Sequence, residues 1–437
     1  MHESDKSSFY SLIFIFVAAI SAIGLVIERQ QTFLIGIAFF SAFLSYFWLV
    51  RFHGDSRVLF SLGMLVRLIL FLGLPSLSDD IFRFIWDGQL LAGGINPYLH
   101  TPRFIFDSLP NTPGLDQSLF SKLNSPDYYT IYPPLNQLIF WLSAVPDGNS
   151  SLIATNIIRT LVLASEVASF FLLRNLLGIH GRDQKLAAWY FLNPLIILDF
   201  TGNLHFEALV IFFILLGLNL VYMKKTGLAG IAFGFGIASK LLPLIFLPAM
   251  VINRNWKRGI IISAIAVSTC IVTFYPFISN ELITNFQSSL GLYFQKFEFN
   301  ASIYFLLREI GFLIKGYNTI GVLGPVLSLV STTGIIAIAF LGAWKKWPLE
   351  KTMLLTLFSY LLFTTTVHPW YILTLIPLGL VSGFYFPIFW SFVICCTYLG
   401  YNATGFELSA GWIVFEYVSL LLFLYFEFSK RNHETSI

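Results

Sequence analysis

Apolar stretches recur along the whole chain and are separated by short polar segments. Most of them approach the roughly 20 residues that a helix needs to cross a bilayer. The pattern therefore predicts a membrane protein whose spanning elements are helices. The predicted apolar segments are residues 9–27, 32–50, 57–75, 133–146, 151–178, 186–200, 206–223, 228–252, 259–279, 317–343, 352–367, 370–383, 384–400 and 410–428.

One long stretch interrupts this pattern. Residues 76–131 are rich in Pro, Asn, Asp and Tyr, and they contain six Asp against two Arg and one Lys. Such a segment is too polar to span a membrane, so we expect it to be a loop outside the bilayer. Because it is acidic, the positive-inside tendency of membrane proteins places it on the outer face.

Composition supports the membrane assignment and limits the remaining possibilities. Of the 437 residues, 57% are hydrophobic and only 11% are charged, whereas soluble domains carry about 25% charged residues. We therefore predict an all-α polytopic membrane protein with about eleven to fourteen transmembrane helices, formed as one domain over residues 1–437. No remaining segment is long enough for a nucleotide-binding domain, and the chain has no GxxxxGK[ST] motif.

Lys and Arg residues near the ends of the apolar segments predict the orientation. We place them, together with both termini, in the cytoplasm of a multi-pass protein of a bacterial inner or plasma membrane. These residues are Arg51, Arg57, Lys224, Lys225, Arg254, Lys257, Arg258, Lys345, Lys346, Lys351, Lys430 and Arg431.

The segment 228–252 does not fit a simple alternation of spans. Basic residues lie on both sides of it, yet it is too short for two full crossings at about 1.5 Å per residue. Pro243 and Pro248 lie in its second half, close to Lys240. We expect two short helices that turn back near Lys240; the alternative is one kinked helix whose lysine extends to the interface. A lysine at this depth suggests a cavity or an anion.

The densest group of charged residues lies at 78–88. On a helix, Asp79, Asp80, Arg83 and Asp87 fall within one arc of about 100°, and the other positions are mostly apolar. This pattern predicts an interfacial helix whose charged stripe faces a water-filled cavity. Helix capping by Ser78 and ion pairing of Arg83 are the alternative explanation for part of the stripe.

Further polar residues occur close to predicted outer ends of spans. Tyr132 precedes two prolines, His205 lies in a polar cluster with Asn203 and Glu207, and His368 begins an HPWY turn. Together with Lys240, these groups suit sugar transfer from a lipid phosphate. A carboxylate would accept the proton of the acceptor hydroxyl, and fixed cations would stabilise the leaving phosphate.

Three motifs carry a resemblance to a known family. The run SDDIFRFIWDG at 78–88, GINPY at 94–98 and YPP at 132–134 resemble polytopic glycosyltransferases of the C-type (GT-C) fold. The closest resemblance is to polyprenyl-phosphate-mannose-dependent mannosyltransferases and glycosylphosphatidylinositol mannosyltransferases. It implies that a sugar, expected to be mannose, passes from a polyprenyl-phosphate donor to a glycan or lipid acceptor at the outer face. By analogy with glycoside hydrolysis, a single displacement with one base inverts the anomeric centre.

The resemblance also implies roles for individual residues. Asp79 and Asp80 become the catalytic candidates. The family motif is often Asp-x-Asp, whereas the two aspartates are adjacent in this sequence, so which of them is the base stays open. No cofactor is assigned, and a divalent metal ion at these carboxylates is left open. The expected partners are the donor, the acceptor and the bilayer, with no nucleic acid. The expected substrate- and phosphate-binding residues are Arg83, Asp87, Tyr132, His205, Lys240 and His368.

Two other functions are compatible with the sequence. A transporter or flippase of lipid-linked sugars would also contain intramembrane polar residues such as Lys240. A ligase or phosphotransferase acting on a lipid-linked glycan is the other hypothesis. The long acidic loop at 76–131 favours the glycosyltransferase, because a transporter does not require it.

Overall fold

Helices form 77% of the protein, which confirms the predicted all-α polytopic fold. The computed structural model describes residues 3–52, 56–109, 112–144, 150–252, 255–295, 297–402 and 405–435. The first α-helices are α1 (Glu3–Leu25), α2 (Thr32–Phe52), α3 (Ser56–Ile69), α4 (Asp80–Ala92), α5 (Pro102–Ser108), α6 (Gln117–Phe120), α7 (Pro134–Ala144), α8 (Ser151–Ile179), α9 (Ala187–Phe191), α10 (Pro194–Ile196) and α11 (Glu207–Tyr222).

The remaining elements follow the same helical plan. They are α12 (Thr226–Ser239), α13 (Leu247–Ile252), α14 (Trp256–Thr273), α15 (Leu282–Gln295), α16 (Ile303–Lys315), α17 (Ile320–Trp344), α18 (Leu349–Phe363), α19 (Leu375–Ser382), α20 (Phe386–Val393) and α21 (Ala410–Thr435). Two short antiparallel strands, β1 (Tyr401–Asn402) and β2 (Gly405–Phe406), pair with each other. Short 3-10 turns occur at Leu70–Leu72, Gln184–Leu186, Leu242–Phe246, Tyr275–Phe277, Pro369–Thr374 and Ile394–Gly400, and a π-helical turn at Ile197–Gly202.

Fewer full-length spanning helices are present than the eleven to fourteen expected. Within the described ranges, six helices are long and apolar enough to cross a membrane, or seven if one bent pair counts as a span. The six are α1, α2, α8, α14, α17 and α21. Several other apolar segments are divided into shorter helices, with Pro243, Pro369 and Pro387 in the first turns of new helical pieces. Proline lacks the backbone N–H that a continuous helix requires, so these apolar segments do not form continuous full-length helices.

The predicted reversal at Lys240 is confirmed. Helix α12 ends immediately before Lys240, whose backbone is extended at φ −162° and ψ 134°. Gly234 of α12 lies beside Thr269 near the end of α14, whereas Met250 of α13 lies against Gly259 near the start of α14. The chain therefore runs towards the end of α14, turns at Lys240 and returns, which rules out a single kinked helix.

A second break lies between α10 and α11. The segments Pro194–Gly202 and Glu207–Tyr222 meet at 110°. The Asn193 side chain begins the first segment by accepting the backbone N–H groups of residues 195 and 196. Arg159 of α8 holds the turn, because its Nε donates to the Thr201 carbonyl at 2.7 Å and its Nη1 to the Gly73 carbonyl at 2.9 Å. The polar residues that follow are thereby brought to the same end of the bundle as the start of α4.

Helix α8 joins two chemically different ends of the bundle. Its 29 residues extend about 43 Å. Near its first turns, Arg159 contacts the chain that leads into α4; we call this end, which contains Asp79 and Asp80, the acidic end. Beyond its last turn, His180 lies 3.5 Å from the Glu350 carboxylate, and Arg182 donates to the Tyr385 hydroxyl at 3.2 Å. We call this second end the basic end.

Helices α4 and α7 approach each other closely at Gly88. A Cβ atom at Gly88 would lie 2.3 Å from the backbone oxygen of Phe140. Phe84, one turn earlier on α4, stacks on the Phe140 ring with centroids 4.6 Å apart. The absence of a side chain at Gly88 therefore sets the distance between the helix that begins at Asp80 and its neighbour.

We expect Gly88→Ala to lower the free energy of unfolding by about 1–3 kcal/mol, because the added methyl group must push two backbones apart. The measurement is the thermal unfolding midpoint of the purified protein in detergent. Gly227→Ala is the matched control, because a Cβ at Gly227 meets no atom within 4 Å. Equal midpoints for the two variants would contradict the close-approach argument.

Candidate active site

The two adjacent aspartates at the start of α4 have different partners. Asp79 forms an ion pair with Arg29 of the loop between α1 and α2, with 2.8 Å between Nη1 and Oδ2. The Asp80 carboxylate accepts a hydrogen bond from the Asn124 amide at 2.9 Å and one from the Tyr132 hydroxyl. One charge is therefore neutralised by an arginine, whereas the other is held by neutral hydrogen-bond donors.

The environment of Asp80 favours a carboxylate of increased basicity. Burial raises the pKa of Asp80 above its usual value, and the nearby charge of Asp79 acts in the same direction. The hydrogen bond from Asn124 and the positive charge of Lys240 lower the pKa in part. Capping does not account for both aspartates: the N-cap residue is Asp79, and its side chain makes no capping hydrogen bond.

Arg83 and Asp87 lie behind this position and are buried. Their side chains form an ion pair at 2.8 Å. Arg83 also donates to the carbonyls of Ser125 and Tyr128, each at 3.1 Å, and Gln137 donates to Asp87 at 3.0 Å. The expectation that the whole charged stripe faces a cavity is therefore wrong for these two residues, because the loop leading to Tyr132 folds over them. Their contacts suit positioning of that loop.

Lys240 faces the same region from the break after α12. Its ammonium group is ion-paired with the Glu207 carboxylate and lies 4.0 Å from the centre of the Tyr371 ring. The Lys240 side chain is 30% exposed, whereas that of Glu207 is 2% exposed. A hydrogen bond from Asn136 of α7 to the Ser239 carbonyl, at 2.9 Å, holds the preceding residue. The lysine is thus fixed in direction but remains accessible.

Three aromatic rings form a stack beside Lys240. The His205 and Trp370 rings have centroids 3.6 Å apart, and Trp370 stacks on His368 at 4.5 Å with an interplanar angle of 2°. Lys240 is close enough for its positive charge to interact electrostatically with both imidazole rings. His205 Nε2 and His368 Nδ1 are buried and have no hydrogen-bond partner among the described residues. These two nitrogens are thus unsatisfied polar groups buried beside Lys240.

The acidic end thus collects most of the residues that the sequence singled out. Asp80, Tyr132 and Lys240 lie together, and His205 and His368 adjoin them through Trp370. Within the described ranges, no group of three or more His, Cys, Asp or Glu side chains is arranged to hold a metal ion.

Sequence reasoning assigned no role to five residues at this site. Glu207, Trp370 and Tyr371 stand in motifs that were recognised, so their proximity in sequence to His205 and His368 was a usable signal. Arg29 and Asn124 lie in loops where no sequence motif marks them. Only the folded chain brings them to Asp79 and Asp80.

Fold and site together define a polytopic membrane protein with a charged and aromatic site at one end of its helical bundle. A family model described as alpha-(1->6)-mannopyranosyltransferase, N-terminal domain, matches residues 16–255. This range is 240 of the 437 residues, and the chain belongs to this family. The protein is therefore a glycosyltransferase, and the family supports mannosyl transfer between a sugar donor and an acceptor. No curated protein matches the chain.

The matched range includes most of the site described above. It extends from α1 to the residue before α14, and therefore contains Asp79, Asp80, Tyr132, His205 and Lys240. His368 and Trp370 lie beyond it. The aromatic stack is thus built from one histidine inside the matched range and two rings outside it.

Proposed function

We propose that the protein transfers a mannosyl group from a polyprenyl-phosphate donor to a glycan or lipid acceptor, with inversion, and that Asp80 is the general base. The observation that carries this proposal is that Asp80 and Lys240 lie close enough at the acidic end for the charge of Lys240 to lower the pKa of Asp80. A carboxylate that accepts a proton and an accessible cation that stabilises a phosphate are the two groups that the reaction needs. Asp79 is the weaker candidate for the base because Arg29 is paired with it.

The reaction is a single displacement at the anomeric carbon. The acceptor hydroxyl oxygen forms a bond to C1 of the sugar while the bond from C1 to the phosphate oxygen breaks. The hydroxyl proton passes to Asp80, and the electron pair of the broken bond stays on the polyprenyl phosphate. Lys240 stabilises the negative charge that grows on this leaving group. One displacement inverts the anomeric centre, by analogy with glycoside hydrolysis.

A lipid-borne donor fits the location of these groups. Tyr132 immediately precedes the two prolines that lead into α7, Glu207 begins α11 and Lys240 follows α12, so the site is built from bundle helices rather than from a separate soluble domain. A donor anchored in the bilayer reaches such a site by lateral diffusion. The whole chain, residues 1–437, would act as one glycosyltransferase domain.

Charge distribution supports an orientation for the active site. The basic end contains His180, Arg182, Lys351 and Arg431, with Arg431 donating to the Gly383 carbonyl. Positive charge near helix ends is enriched on the cytoplasmic side. In this proposal the basic end and both termini are cytoplasmic, and the acidic end lies at the outer face of a bacterial plasma membrane.

The direct test reconstitutes the purified protein in vesicles with defined polyprenyl-phosphate sugars and a mannose-containing acceptor. We expect a new glycosidic bond with polyprenyl-phosphate mannose, inverted at C1, and no product with a nucleotide sugar. Mass spectrometry and NMR of the product are the measurements. Movement of the lipid-linked sugar across the bilayer without a new glycosidic bond would overturn the proposal in favour of a flippase.

A further inference from the structure

A groove lies beside Asp79 on the side of the loop between α1 and α2. Its volume is about 370 Å³, which is within the range of small-molecule sites, about 300–1,000 Å³. Residues 24–30 form one wall, and Gly73, Leu74, Ser76 and Asp79 form the other. The ion pair between Arg29 and Asp79 connects the two walls.

Arg29 is held in a defined position in this groove. Its guanidinium group contacts the Asp79 carboxylate at 2.8 Å and lies 4.9 Å from the centre of the Tyr401 ring. About a third of the Arg29 side chain remains exposed (31%), as does 40% of the Asp79 side chain. The pair therefore keeps donor and acceptor groups available, and little conformational freedom is lost when a ligand binds.

The lining indicates which class of ligand fits. Exposed Glu28 and Gln30, together with Arg29 and Asp79, supply hydrogen-bond donors and acceptors, and adjacent aliphatic residues suit the C–H face of a pyranose ring. An anionic phosphate would be repelled by Glu28 and Asp79, and an isoprenoid chain would desolvate these charged groups. A neutral sugar is the ligand that satisfies both the polar and the apolar parts of the groove.

We propose that this groove binds the terminal sugar of the acceptor glycan, with Arg29 as the residue that determines acceptor affinity. This inference rests on the proposed function. Asp79 and Asp80 are consecutive, and their Cα atoms are therefore about 3.8 Å apart. A sugar held by Arg29 and Asp79 is therefore bound one residue along the chain from the base. Lys240 and the aromatic stack remain for the donor.

The test measures the two substrates separately. We expect Arg29→Gln to raise the KM for the acceptor by about tenfold or more, the effect of losing a hydrogen bond to a charged group, and to raise it by more than it changes the KM for the donor. Gln30→Trp places bulk in the groove from an exposed loop position and should raise the acceptor KM without affecting folding. Arg103→Gln is the matched control, because Arg103 forms an exposed ion pair with Asp127 and does not line the groove; its acceptor KM should equal that of the wild type.

The possible outcomes separate this inference from the function on which it rests. If the wild-type protein forms no product from polyprenyl-phosphate sugars, the proposed function fails. If the wild type is active but Arg29→Gln and Gln30→Trp both retain its acceptor KM, only the groove assignment is overturned. A rise in the donor KM that equals the rise in the acceptor KM would also overturn it, because the groove would then not distinguish the substrates.

Discussion

Asp80→Asn is expected to lower kcat by about 10²–10⁴-fold, the contribution that a positioned general base makes. The asparagine preserves size and accepts the hydrogen bonds of Asn124 or Tyr132 at its carbonyl oxygen, but it cannot accept the proton of the acceptor hydroxyl. The measurement is the initial rate of sugar transfer in detergent or in vesicles at saturating substrate. We expect the thermal unfolding midpoint to change little.

Two other aspartates serve as comparisons for this variant. Asp127→Asn changes an exposed carboxylate that is paired with Arg103, and it should retain full activity. Asp79→Asn should retain more of kcat than Asp80→Asn, because Asp79 is already engaged by Arg29. If Asp79→Asn abolishes transfer and Asp80→Asn does not, the roles assigned to the two aspartates are reversed.

The pH dependence provides a second measurement of the same role. Burial raises the pKa of Asp80, and the base is active only when it is ionised. Transfer should therefore decline as the pH falls through this raised pKa, which is above the range of an ordinary aspartate at about 3.9. The residual activity of Asp80→Asn should lack this acidic decline. An unchanged acidic limb in the variant would assign the titration to another group.

Lys240→Met should have the second large effect. Removal of the cation that faces the leaving phosphate is expected to lower kcat by about 10²–10³-fold, the magnitude found for loss of one electrostatic stabiliser of a transition state. The donor KM should rise more than the acceptor KM, because only the donor carries the phosphate. The measurement is a full kinetic analysis with each substrate varied in turn. Equal effects on the two KM values would argue for a purely structural lysine.

Lys240→Met is also expected to lower the stability of the protein, and a double variant separates this effect from the loss of activity. Glu207 is almost completely buried and is paired with Lys240. Breaking a buried ion pair costs about 3–5 kcal/mol, and we expect the lower end because Lys240 is partly exposed. Lys240→Met combined with Glu207→Gln removes the unpaired charge and should recover most of the thermal stability, but not the activity. Recovery of activity in the double variant would show that the lysine matters only as the partner of Glu207.

The sequence by itself determined the features that depend on neighbouring residues. Apolar runs placed the helical segments, and the acidic composition of 76–131 marked this stretch as non-spanning. Basic residues on both sides of 228–252, with its prolines, were sufficient to predict the reversal at Lys240. These conclusions follow because helix length, proline geometry and the cost of placing charge in a bilayer are local properties.

The tertiary structure alone decided which groups meet. Arg29 reaches Asp79 across the α1–α2 loop, Glu207 pairs with Lys240 over a separation of 33 residues, and Trp370 inserts between His205 and His368. The tertiary structure also buries Arg83 and Asp87 beneath the loop that leads to Tyr132. The helical arc of charged residues could not show that this loop covers them. The physical reason is that the partner of a charged or aromatic side chain is set by packing between distant segments. Periodicity shows which face of a helix is polar, but not what covers that face.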